Sequence, residues 1–164
     1  MSAPARLPAS RRTAPTLLLA LLLAVPLLAA PPSRAADSAP AVSPVGLWQT
    51  ISDVDGKPKA YVRIREQQGE LSGTIEEIID PAKRDKRCEK CDGPRHDQPV
   101  LGMTILTGLR REGDHYDGGK ILDPDNGNVY TCKVTVSADG QHLVLRGYIG
   151  FSLFGRSQTW NRAP

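Results

Sequence analysis

Beyond its first thirty residues the chain has no run of ten or more residues with an apolar stripe at helical spacing, and it shows no internal repeat. Low helix content is expected, and repeat architectures are excluded. Aromatic residues are scarce at 5%, and cysteines number three. No serine or acid spacing around His96, His115 or His142 forms a hydrolytic triad, so the chain does not assemble a nucleophile, a base and an oxyanion hole. Asp123-Pro-Asp125-Asn-Gly127 lacks the distal glutamate of a calcium loop and reads as a turn. No cofactor is called for.

Acids are absent from residues 1–35, which carry Arg6, Arg11 and Arg12 ahead of an apolar run from Leu17 to Ala30. That pattern is a signal peptide, 1–35, with Ser33-Arg34-Ala35 supplying small residues at the cleavage positions. The run is too short for a comfortable bilayer span and Pro26 interrupts it, so an anchor is the weaker reading and no integral membrane segment is expected after cleavage. No cysteine follows the cut to take a lipid. The signal also owns the basic excess. Without its four arginines the 21 basic residues fall to 17 against 18 acids. The sequence pI of about 8.9 is therefore no argument for nucleic acid, which is dropped as a partner. The periplasm or the cell exterior is the expected location.

Residues 36–45 are small, proline-bearing and aperiodic, a flexible lead-in. The folded unit is then 46–162, enough for one core and too short for two domains. All 15 glycines lie in or after its first residue, between short apolar or alternating runs. Candidate strands are 47–52, 59–65, 71–79, 101–109, 116–122, 129–136, 142–148 and 156–162. Asp55-Gly56, Gln68-Gly69, Gly113-Asp114, Asn126-Gly127 and Asp139-Gly140 supply tight turns between them. Ala60, Val62 and Ile64 alternate with polar neighbours, as do Tyr130, Cys132, Val134 and Val136, so each strand buries one face. Eight meandering strands must hide two sheet edges, and closure removes both. The fold class expected is all-β, an eight-stranded antiparallel up-and-down barrel, with a sandwich as the alternative.

Several motifs together are specific: Gly46-Leu-Trp48, Cys88-Glu-Lys-Cys91-Asp-Gly93, Gly119-Lys-Ile-Leu-Asp-Pro124, Arg146-Gly-Tyr148-Ile-Gly150, and Phe154-Gly-Arg156-Ser-Gln-Thr-Trp160-Asn-Arg162. On these residues the folded part resembles a family of small exported bacterial proteins known as domain of unknown function 2147. The resemblance implies a lipocalin-like (calycin) barrel and an envelope location, and it brings no established activity. Gly46-x-Trp48 also resembles the opening motif of lipocalins, in which a late-strand arginine lies over the tryptophan. Arg162 is the expected partner, at the structural end of the barrel.

Cys88-x-x-Cys91 sits in a polar connection of an exported chain and reads first as a local disulfide. Two alternatives stand beside it. A redox pair would need a helix N-terminus, which Asp92-Gly93-Pro94 does not offer. A metal site would take Cys88, Cys91 and His96, with Asp85, Glu89, Asp92 and Asp97 nearby. Cys132, the odd thiol, reads as a small buried hydrophobe. The segment 147–155 gathers three aromatics and three glycines between Arg146 and Arg156. Its apolar residues either cap the core or stand at an open mouth. Tyr130, Arg146, Tyr148, Phe151, Phe154 and Arg156 are the candidate ligand-binding set. Three function classes follow. The first is a non-enzymatic module binding a small apolar or amphiphilic ligand inside the barrel. The second is an interaction module with a side-chain-filled barrel, docking through 151–154 or 88–93. The third is an enzyme or metal protein resting on Cys132 or on Cys88 and Cys91.

Overall fold

A computed structural model describes residues 42–164; the expected signal peptide and most of the lead-in lie outside the described residues. Eight strands follow in chain order: β1 (Gly46–Ile51), β2 (Pro58–Gln67), β3 (Glu70–Ile78), β4 (Thr104–Glu112), β5 (His115–Leu122), β6 (Val129–Val136), β7 (His142–Tyr148) and β8 (Arg156–Arg162). Each pairs antiparallel with the next, and β8 returns to β1, closing the barrel. Helical content among the described residues is confined to three-residue 3-10 turns. The expected up-and-down barrel is therefore the observed one.

Alternation decides which face of each strand turns inward. Val62 and Ile64, Leu71, Cys132 and Val134, and Leu143 are fully buried, and Leu145 and Trp160 nearly so. Strict alternation fails where the register shifts, in the β1–β2, β2–β3, β3–β4 and β5–β6 ladders. In β4, Leu71 faces Leu109 and Gly73 faces Leu106, which leaves one extra residue between them. Gly108 absorbs it at φ +76°, so Leu106 and Leu109 both point into the core. Gly118, at φ +73°, does the same for Tyr116 and Gly119 in β5. Such bulges sharpen the local twist, which a small closed sheet requires.

The β4 leucines fill space that glycines leave. A Cβ on Gly73 would come within 2.9 Å of the Leu106 Cβ, and one on Gly119 within 2.4 Å of Leu109. The interior of the barrel is thus occupied by its own side chains, from Trp48 at one end to Ile121 and Tyr130 towards the other.

At the end where the chain enters, Trp48 is fully buried and its indole N–H donates to the Pro44 carbonyl at 2.7 Å. The Arg162 guanidinium lies 4.2 Å from the centroid of the Trp48 ring. It donates to the carbonyls of Val45 at 3.1 Å, Ser43 at 3.0 Å and Gly140. Gly46 is required there by space, since a Cβ would stand 2.7 Å from the Arg162 Nη1. The pairing expected of Gly46, Trp48 and Arg162 is the one observed.

Candidate functional site

Up-and-down topology sends four connections to the end of the barrel away from Trp48: the β1–β2 turn (52–57), the β3–β4 linker (79–103), the β5–β6 turn (123–128) and the β7–β8 loop (149–155). These form the rim. One half of it is covered by the linker. Its backbone is held by Cys88 N–H to Gln98 O at 2.9 Å, Val100 N–H to Lys86 O at 2.9 Å and Gly102 N–H to Ile75 O at 2.9 Å. Its own Cys88, Cys91, Val100 and Met103 are buried. Strand β4 begins at Thr104 and not at 101 because Leu101-Gly102-Met103 turns out of the linker, with Gly102 at φ +82°.

Cys88 and Cys91 form a disulfide with Cα atoms 5.3 Å apart. Its closing loop rests on the β5–β6 turn so tightly that a Cβ on Gly127 would overlap the Lys90 carbonyl at 1.8 Å. Joined in this way, the sulfurs offer no thiolate, so the metal set with His96 is incomplete; the His96 Nδ1 lies instead 3.1 Å from the Cys91 carbonyl oxygen. Asp125 fastens the same corner by accepting from Lys59 and Lys86. Partial burial opposes its ionisation, but the two ammonium hydrogen bonds prevail and hold its pKa at about 2.

The other half of the rim is apolar and open. Ile149 is 71% exposed, Phe151 80%, Leu153 80% and Phe154 82%, and Val54 of the β1–β2 turn is 96% exposed. The phenylalanines do not cap the core. The β1–β2 turn is tied to the start of β8, where this loop ends, by Asp53, which meets the Arg156 guanidinium at 3.2 Å and accepts from Gln158.

Of the candidate ligand-binding residues, Phe151 and Phe154 stand exposed on this loop, whereas Tyr130, Arg146, Tyr148 and Arg156 are already engaged by the fold. Arg146 follows the inward Leu145 and so lies on the outer wall. Its guanidinium donates to Ser152 O at 2.8 Å, Leu153 O at 3.1 Å and Ser157 Oγ at 3.1 Å, bracing the loop from beneath. Tyr130 accepts from the Asn126 and Asn128 amides at 3.2 and 3.4 Å. Tyr148 donates to Asp117 at 3.5 Å, and burial together with that carboxylate raises its phenol pKa. An anionic end group aimed at Arg146 would have to displace the loop that Arg146 holds.

Cys132 is fully buried, and desolvation, with help from Asp117, pushes its thiol up to about 12. A thiol held protonated there serves as core. Sequence reasoning missed a second cluster. Glu112 faces His115 across the β4–β5 hairpin and Asp117 follows on the same strand, so three potential ligand atoms lie within 4.8 Å of one another. The two-residue Gly113-Asp114 turn was the signal that could have shown this. The donors suit a divalent cation by type, but they sit at the end of the barrel away from the rim.

Comparison with known proteins agrees with this architecture. No curated protein matches the chain. Among solved structures, protein HP1028 from Helicobacter pylori, described as belonging to the lipocalin family, superposes with a TM-score of 0.67. It is 24% identical, and the match covers 75% of this chain and 84% of that one; at that identity it shows the fold. Among the described residues no helix is long and apolar enough to cross a membrane. The model of the family of uncharacterized proteins conserved in bacteria (DUF2147) matches residues 46–162, the whole barrel, and the chain belongs to that family.

Proposed function

We propose that this protein is a non-enzymatic binding module, exported to the periplasm or beyond, that engages its partner with the exposed rim of the barrel and not with an enclosed interior. A lipocalin-like fold is compatible with binding in either place. The observation that carries the choice is the contrast between the two. The interior is filled by complementary side chains, with Leu106 and Leu109 set into the space of Gly73 and Gly119, whereas four large apolar side chains of one loop stand in water. Large contiguous apolar patches on a small soluble domain mark contact surfaces.

Native mass spectrometry of the protein purified gently from periplasmic extract, set against its denatured mass, tests the reading. A bare chain is expected. A discrete ligand-sized adduct would overturn the filled interior and restore a carrier of a small apolar molecule.

A further inference from the structure

We infer that the β7–β8 loop is a docking element for an anionic phospholipid bilayer surface. The inference rests on the rim reading above and names its partner.

Three observations point to lipid. The first is the side-chain pattern. Ile149, Phe151, Leu153 and Phe154, separated by Gly150 and Ser152, are each at least 71% exposed. Side chains that free of their own protein form a protruding tip, which can enter a fluid interface without a matching pocket.

The second is the state of the loop backbone. The Ser152 carbonyl accepts from the Arg146 Nε at 2.8 Å and the Gly155 N–H at 3.1 Å; the Leu153 carbonyl accepts from the Arg146 Nη2 at 3.1 Å; and the Phe151 carbonyl accepts from the Phe154 N–H at 3.2 Å. Hydrocarbon offers no hydrogen bonds, so a segment that enters it must satisfy its own carbonyls. The three consecutive carbonyls at the centre of this tip, those of Phe151, Ser152 and Leu153, are engaged in this way before it meets a partner.

The third is charge. From Arg146 to Arg156, the stretch that carries the loop, there is no aspartate or glutamate, and both bounding residues are arginines. The acids of the neighbouring β1–β2 turn are neutralised, Asp53 by Arg156 at 3.2 Å and Asp55 by Lys57 at 3.9 Å. An anionic headgroup layer therefore meets no opposing charge on this side of the rim.

The test places an environment-sensitive dye at Leu153→Cys in the full exported chain, where Cys132 is buried and Cys88 and Cys91 are bonded to each other. Vesicles of phosphatidylcholine with phosphatidylglycerol should shift the dye emission to the blue and carry the protein down on sedimentation. Phe151→Ser with Phe154→Ser, both at exposed positions, should weaken that partition at least about tenfold while leaving the thermal midpoint unchanged. Equal partition into pure phosphatidylcholine would overturn the anionic preference. A blue shift that rises with protein concentration in the absence of vesicles would show the tip meeting a second copy; that outcome overturns the membrane assignment and leaves the rim reading intact. An unmoved dye under all conditions overturns the membrane assignment, and the mass measurement above then decides the rim reading separately.

Discussion

Arg162 combines a stacking contact on Trp48 with three charge-assisted hydrogen bonds to backbone carbonyls. A planar guanidinium can do both at once, and a lysine ammonium cannot. Arg162→Lys should lower stability by about 2 kcal/mol, the sum of a lost cation–π contact and at least one charged hydrogen bond, read as a smaller urea midpoint. Full stability in that variant would show the clamp to be decorative. This part of the molecule was legible because Gly46, Trp48 and Arg162 carry a recognisable motif. That Arg146 braces its own loop does not stand out from the pattern, although the information is present. Leu143 and Leu145 turn inward, so the residue after Leu145 must turn outward, and its charge serves the loop above it.

Among the elements, strands β6, β7 and β8 fall where alternation and turn residues place them, because each strand there has one buried face and a tight turn at its end. The bulges were illegible. Gly108 and Gly118 look like strand glycines, and only the inward packing of Leu106, Leu109 and Tyr116 shows that each inserts an extra residue. The linker 79–103 read as merely polar, yet it buries Cys88, Cys91, Val100 and Met103, because its apolar residues are too few and too widely spaced to show a period. Its disulfide closes a loop of only four residues, so chain entropy gives it about 2 kcal/mol. Cys88→Ala with Cys91→Ala should lose about that much, and hydrogen exchange should rise in the linker and in the β5–β6 turn together, since Gly127 and the Lys90 carbonyl share one space. Exchange confined to the linker would mean that the two do not support each other.

For the molecule as a whole, Asp125 joins three parts of the chain, linking the β5–β6 turn to β2 through Lys59 and to the linker through Lys86. Its folded pKa of about 2 lies below the ordinary 3.8. A depressed carboxylate stabilises the fold above its unfolded pKa, and the contribution disappears as pH falls through the folded value. Stability should therefore decline as pH drops from about 4 towards 2, and Asp125→Asn should flatten that decline; because the carboxylate is 43% exposed, solvent screening keeps the effect to a fraction of the full linkage value. Urea midpoints taken across that range check it, and an identical acid limb in the variant would remove Asp125 from the account.

The seam that closes the barrel is its shortest, with Trp48 facing Arg162 and Gln49 facing Asn161, against six such rungs between β7 and β8. Both chain ends leave from the same side of that seam. A force drawing residues 46 and 162 apart would consequently peel β1 from β8 one rung at a time, the mode of a zipper and not of a shear joint. The first rung under load is Trp48 with Arg162, so the mechanical strength of the whole barrel is set by how firmly one guanidinium grips the strand entering beside it.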